Sequence, residues 1–213
     1  MSDITAALDA VMEDVRAKFA AKNEAREKAL PACREAIRFS ANAIRAVHRS
    51  EFDVAESLVA KAQSAVSAAK HALATHADIY FAGFVHDAQK EYAEASITLA
   101  LVAGRDLPTP QGLEIEIAAY LNGMGEAVGE LRRHLLDTLR SGDVDRCEHW
   151  LRAMDEIYSV LVTVDYPDAM TGGLRRTTDA VRGILEKTRG DLTLSVQQRR
   201  LEQRLDEFGS KLG

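Results

Sequence analysis

Apolar residues recur three and four positions apart from one end of the chain to the other, and that rhythm predicts helices throughout. Ile4, Leu8, Val11, Val15 and Phe19 open the first stripe; Leu30, Cys33, Ile37, Ala41 and Ile44 carry it on towards Arg49. Pro31 falls between the two runs, where it would kink or restart a helix. A second helix is expected from Phe52 to Leu73, ending at the break Thr75–Asp78. A third, over 78–104, carries Phe81, Val85, Ala88, Tyr92, Ala95, Leu99 and Val102. After the loop 106–112, a fourth over 112–141 repeats the alternation at Ile117, Leu121, Met124, Val128, Leu131 and Leu135. Gly142 followed by Asp143 reads as a helix stop and a new N-cap. A fifth helix buries Trp150 or Leu151 with Met154, Ile157 and Leu161. A last region holds Leu174, Thr178, Val181 and Leu185, then Leu194, Leu201 and Leu205, with Gly190 as an optional break. Nothing alternates like a strand. The expected fold is all-α: long helices packed nearly parallel in a bundle, one domain over residues 1–213.

Composition agrees with that reading. At 213 residues and 46% hydrophobic the chain can bury a sizeable core. Only 4 Pro and 6% aromatics favour helix over sheet. The net charge of −6 excludes a global positive field that would recruit nucleic acid, so any such binding needs a local basic face. Cys33 and Cys147 form no CxxC pattern, which argues against a zinc site or disulfide framework and for a reducing compartment. The acidic, amphipathic opening MSDITAALDAVMEDV is unlike a signal peptide. The most apolar stretch, Ile97 to Ala103, falls short of the ~20 residues a bilayer span takes. A cytoplasmic protein is expected. No Walker, GxSxG or HExxH motif occurs, and the histidines follow no ligand spacing.

Candidate chemistry rests on four carboxylates. Glu91 and Glu94 lie in KEYAEA, Glu126 and Glu130 in GEAVGE, and each pair shares one face of its helix. Glu126 and Glu130 fall opposite the apolar stripe of their helix, where acids commonly make a solvated surface. Gly123, Gly125 and Gly129 surround them, however, and mid-helix glycine costs ~1 kcal/mol relative to alanine, so a close neighbour, helix or substrate, is expected there. Asp87, Glu91, Glu94 and Thr98 form a stripe beside the apolar seam of the preceding helix. Lys90 sits about a right angle round the helix from Glu91 and is not expected to neutralise the whole stripe. A hard divalent cation would, since Mg²⁺ and Mn²⁺ prefer oxygen ligands.

KEYAEA, then YLNGMGEAVGELRR over 120–133, then SGDVDR, resemble the translin family, and most closely its catalytic branch, translin-associated factor X (Trax). In that branch an EYxEA segment precedes a YLxGxxDxxGEL segment and a GD turn. The resemblance covers most of the chain in layout. It implies an all-α, translin-like fold of about seven helices and a Mg²⁺- or Mn²⁺-dependent endoribonuclease. It also implies closed, roughly octameric homo-oligomeric shells holding RNA inside. Its metal ligands carry over onto Glu91, Glu94, Glu126 and Glu130, with one departure: Glu126 stands where the family usually has Asp. Glu91, Glu94 and Glu130 would then hold the ion, and Glu126 could be a ligand or the general base.

Arg34, Arg38, Arg45 and Arg49 make a basic stripe at spacings of four, seven and four, with His48 nearby, and Arg132 and Arg133 follow the second acidic pair. These are the candidate contacts to RNA phosphates; the plainer alternative is that they pair with surface acids. Aromatic stacking platforms are lacking, which favours recognition by backbone and shape. Two rival readings keep the fold and drop the chemistry: a translin-like RNA-binding protein without catalysis, and a helical scaffold whose acids are only solvated.

Overall fold

The computed structural model describes residues 2–212, with side chains for 4–144 and 146–210. Along the chain run α1 (Ser2–His48), α2 (Phe52–Ala72), α3 (Ala77–Tyr80), α4 (Phe84–Val102), α5 (Pro110–Leu113), α6 (Ile117–Arg140), α7 (Val144–Val162), α8 (Asp168–Thr171) and α9 (Leu174–Leu212). Six of these are long and three are single turns; no strand occurs among the described residues. The fold is all-α, as expected.

Two breaks that the sequence left open are absent, and two that it did not signal appear. α1 runs through Pro31 without interruption, because the proline sits on the exposed side while α2 and α4 pack along the other. α9 runs through Gly190. In contrast, the third helix begins at Phe84, after a turn at Gly83 whose φ is 105°, a conformation side chains disfavour. Phe81 therefore falls in that turn and is 72% exposed instead of buried. The fourth helix is cut by Glu114, which adopts a left-handed φ of 56° and ends α5. Ile117 consequently starts α6 exposed, outside the core stripe expected of it. Asp143 does cap α7, accepting a hydrogen bond from the Arg146 backbone N–H at 3.1 Å.

One buried apolar cluster joins residues of all six long helices, with Leu73, Ile97, Leu131, Leu135, Met154, Leu161, Leu174, Leu185 and Leu192 among its best-covered members. α4 and α6 lie at its centre: α4 packs on α1, α2 and α6, and α6 packs on α4, α7 and α9. The ends of the two longest helices leave this cluster. Ile4, Leu8, Val11 and Phe19 on α1 are exposed, and so are Leu194, Leu201, Leu205 and Phe208 on α9. Their stripes find no cover among the described residues. No described helix is long and apolar enough to cross a membrane.

Candidate metal centre

From Ala88 to Ala100 on α4, every residue is buried except Lys90, Glu91 and Glu94. Glu126 and Glu130 on α6 are likewise half-buried, with side chains 35% and 25% exposed. The surface opposite the apolar stripe of α6 is therefore not open solvent; it faces its neighbours.

Gly123 makes the approach of the two helices possible. A Cβ there would stand 2.6 Å from the Lys90 carbonyl oxygen, 2.7 Å from Ala93 Cβ and 3.0 Å from the Glu94 nitrogen. Gly125 serves another contact, since its Cβ would collide with Thr177 of α9. Gly129 has no such neighbour: the nearest atom, Ile184 Cδ1, lies 4.0 Å away. Two of the three glycines are thus explained by helix packing. Asn122, fully covered beside Gly123, ties the same turn down by donating to the Ala118 and Thr171 carbonyls at 2.8 Å each and accepting from Thr177 at 2.6 Å.

This packing gathers three of the four expected carboxylates. Glu91, Glu94 and Glu126 each offer an oxygen, and the three oxygens lie within 4.8 Å of one another. Glu130 stays outside the group. His48, at the end of α1, holds its Oε2 at 2.5 Å from Nε2, and Arg133 stands 4.0 Å away. The single-helix spacing of Glu126 and Glu130 suggested a pair; a partner arriving from a third helix separates them.

The electrostatics follow this division. Burial, reinforced by the charges of Glu91, Glu126 and Glu130, pushes the Glu94 carboxyl up to about 8, so near neutral pH it holds its proton. Burial also raises Glu91, with Glu126 and Asp87 adding to it and Lys90 opposing. Glu130 goes the other way, held down by its bond to His48. Lys90 does not neutralise the whole stripe of its own helix, as expected, but it finds a partner outside it. It reaches across to α6, placing Nζ 2.6 Å from Glu126 Oε1 and 3.8 Å from Glu91 Oε1. Wheel geometry within one helix did not anticipate an inter-helix partner.

A divalent cation suits this donor set. Three carboxyl groups converge, Glu94 among them kept protonated by burial and by its acidic neighbours, and hard oxygen donors are what Mg²⁺ or Mn²⁺ takes. Thr98, one turn beyond Glu94 on the same stripe, is fully buried with its hydroxyl unpartnered among the described residues, as is His48 Nδ1.

The arginines divide too. Arg34, Arg38 and Arg45 on α1 and Arg49 in the turn just after it are all exposed. Arg38 pairs with Glu35 and Arg49 with Glu51, while Arg45 bonds Asn42, so the stripe is partly compensated as the plainer alternative held. Arg45 is three residues from His48, hence on the side of α1 that adjoins Glu130. Arg133 is 59% exposed. Arg132 points into the bundle instead, donating to Thr188 Oγ1 at 2.8 Å and Asp191 Oδ2 at 2.7 Å on α9. It is tied down as a strut between helices.

No family model matches the chain. An uncharacterized protein of Methanocaldococcus jannaschii is 31% identical over 187 residues, covering 86% of this chain and 82% of that one. Among solved structures, AfC3PO in complex with duplex RNA is similar at a TM-score of 0.80 and 31% identity, covering 88% of this chain and 97% of that chain. A crystal structure of AfC3PO is similar at a TM-score of 0.78 and 31% identity, covering 88% of this chain and 98% of that one. The structure of apo-NeC3PO, at 17% identity and a TM-score of 0.77, shares the fold. With the acidic motifs, the helical order and these likenesses together, the chain belongs to the translin/C3PO family.

Proposed function

We propose that the chain is a Trax-type, divalent-metal-dependent endoribonuclease that works inside a homo-oligomeric helical shell. The observation that carries this reading is the convergence of Glu91, Glu94 and Glu126 from two helices onto one point. The duplex RNA bound by AfC3PO supports RNA as the substrate class.

In this account Glu91, Glu94 and Glu126 hold Mg²⁺ or Mn²⁺, which supplies Lewis acidity at a phosphate and a more acidic water. Glu94 gives up its proton on loading, because a nearby cation favours the carboxylate. Glu130, oriented by His48 and already ionised, stands beside the site as the candidate acceptor of the water's proton. Glu126, one methylene longer than the family's usual Asp, reaches the group across the α4–α6 gap. The exposed arginines of α1 and Arg133 supply sequence-independent phosphate contacts.

The uncovered apolar stripes at the ends of α1 and α9 support assembly, since such continuous exposed stripes mark interaction surfaces. An octamer is the size the family likeness suggests. The buried, free thiols of Cys33 and Cys147 suit the cytoplasm, and the continuity of the core supports one domain.

One observation favours the second reading, an RNA-binding protein without catalysis: Lys90 already neutralises Glu126. Incubating the purified chain with single- and double-stranded RNA in Mg²⁺, Mn²⁺ or EDTA separates the two. The nuclease reading expects metal-dependent cleavage, abolished by EDTA and lost in Glu126→Gln. Binding without cleavage in either metal favours the second reading, and cleavage unchanged in Glu126→Gln contradicts the site.

A further inference from the structure

Lys90 Nζ lies 2.6 Å from Glu126 Oε1 and 3.8 Å from Glu91 Oε1, against two of the three carboxylates that form the candidate metal centre. A divalent ion gripping all three would come within a few ångströms of that ammonium, and two positive charges so close repel strongly in a half-buried site. The two cations compete for the same oxygens. The side chain has a way out: it is 22% exposed and sits on a flexible four-carbon stem. Its backbone does not, because the Lys90 carbonyl is pinned under Gly123. Exchange therefore moves the side chain alone and leaves the α4–α6 contact intact.

We propose that Lys90 is the resident counter-ion of the centre and is displaced when the divalent ion binds, so that it sets the metal affinity as much as the carboxylates do. This rests on the metal-centre reading above. In the metal-free chain the ammonium keeps Glu91 and Glu126 from repelling one another and holds α4 and α6 in register. On loading, that task passes to the ion and the ammonium turns out of the cluster. Affinity for the ion is thus lowered by the free energy of breaking the Lys90–Glu126 pair.

The test is calorimetric titration of Mn²⁺ into the full chain without RNA, for the wild type, Lys90→Met, Lys90→Gln and Lys90→Arg. Exchange expects Met and Gln each to bind Mn²⁺ on the order of tenfold tighter than wild type, while Arg, which keeps the charge, stays near it. It also expects Mn²⁺ to raise the melting temperature of Met and Gln by more than it raises that of the wild type. Equal Mn²⁺ affinity in the wild type and both neutral variants overturns the role of Lys90 and leaves the metal centre standing. Absence of Mn²⁺ binding in every protein overturns the metal centre and the exchange with it.

Discussion

Gly123 on α6 faces the backbone carbonyl of Lys90 on α4 so closely that an added Cβ would stand 2.6 Å from that oxygen. Backbone cannot step aside as a side-chain tip can. Gly123→Ala is therefore expected to push the helices apart, at an overpacking cost of about 1–3 kcal/mol, and to lower the melting temperature by roughly 2–10 °C. Gly129→Ala, whose Cβ meets only Ile184 Cδ1 at 4.0 Å, is expected to be neutral or to gain up to ~1 kcal/mol from helix propensity. Thermal unfolding of the two variants side by side checks the contrast.

Glu94 gives the stability a pH dependence of unusual sign. Its carboxyl titrates at about 8 in the folded chain against an ordinary value of 4.5. Between those values the unfolded chain loses the proton and the folded one keeps it, so this group removes stability as pH rises through the window. Glu94→Gln is expected to melt like wild type near pH 4.5. At pH 8 it should melt at least about 2 °C higher, the shift from ~1 kcal/mol, a discounted figure because solvent screens the group. Melting curves across that range read the difference directly.

Glu130 is expected to behave oppositely. Its bond to His48 holds it below the ordinary carboxylate value, so its contribution is present above 4.5 and fades as pH falls through its folded value. Glu130→Gln should be less stable than wild type at pH 6, with the gap closing towards pH 3. A gap that instead widened on acidification would show that His48 does not stabilise the carboxylate.

The two groups of arginines should separate in salt. Arg45→Ala combined with Arg49→Ala removes two exposed charges near the end of α1, and is expected to weaken RNA binding across sequences and flatten its log–log salt dependence by about two units. Arg132→Ala should leave that slope alone. It cuts the bonds to Thr188 and Asp191, and is expected to cost about 1–3 kcal/mol of stability.

Much of this was readable in the sequence. Period-3.6 patterning found the long helices because each buries a continuous stripe, and the acidic motifs found Glu91, Glu94 and Glu126 because both sides of the pair lie on regular helix. Failures came where local signals are weak or information is non-local. Phe81 and Ile117 kept helical phase across turns that Gly83 and Glu114 make, so periodicity alone could not place the breaks. The partners of Lys90 and His48, Glu126 and Glu130, lie on other helices, so no spacing within one helix reveals them. The apolar ends of α1 and α9 follow a core-like period, yet nothing among the described residues covers them.

Crystals of the full chain grown with Mn²⁺, with anomalous diffraction collected at the manganese edge, test the metal centre most directly. The expected result is one peak per chain between Glu91, Glu94 and Glu126, with a carboxylate oxygen from each about 2.1–2.3 Å away, as hard oxygen coordination requires. A map with no peak there, and Lys90 still resting on Glu126, would contradict the account.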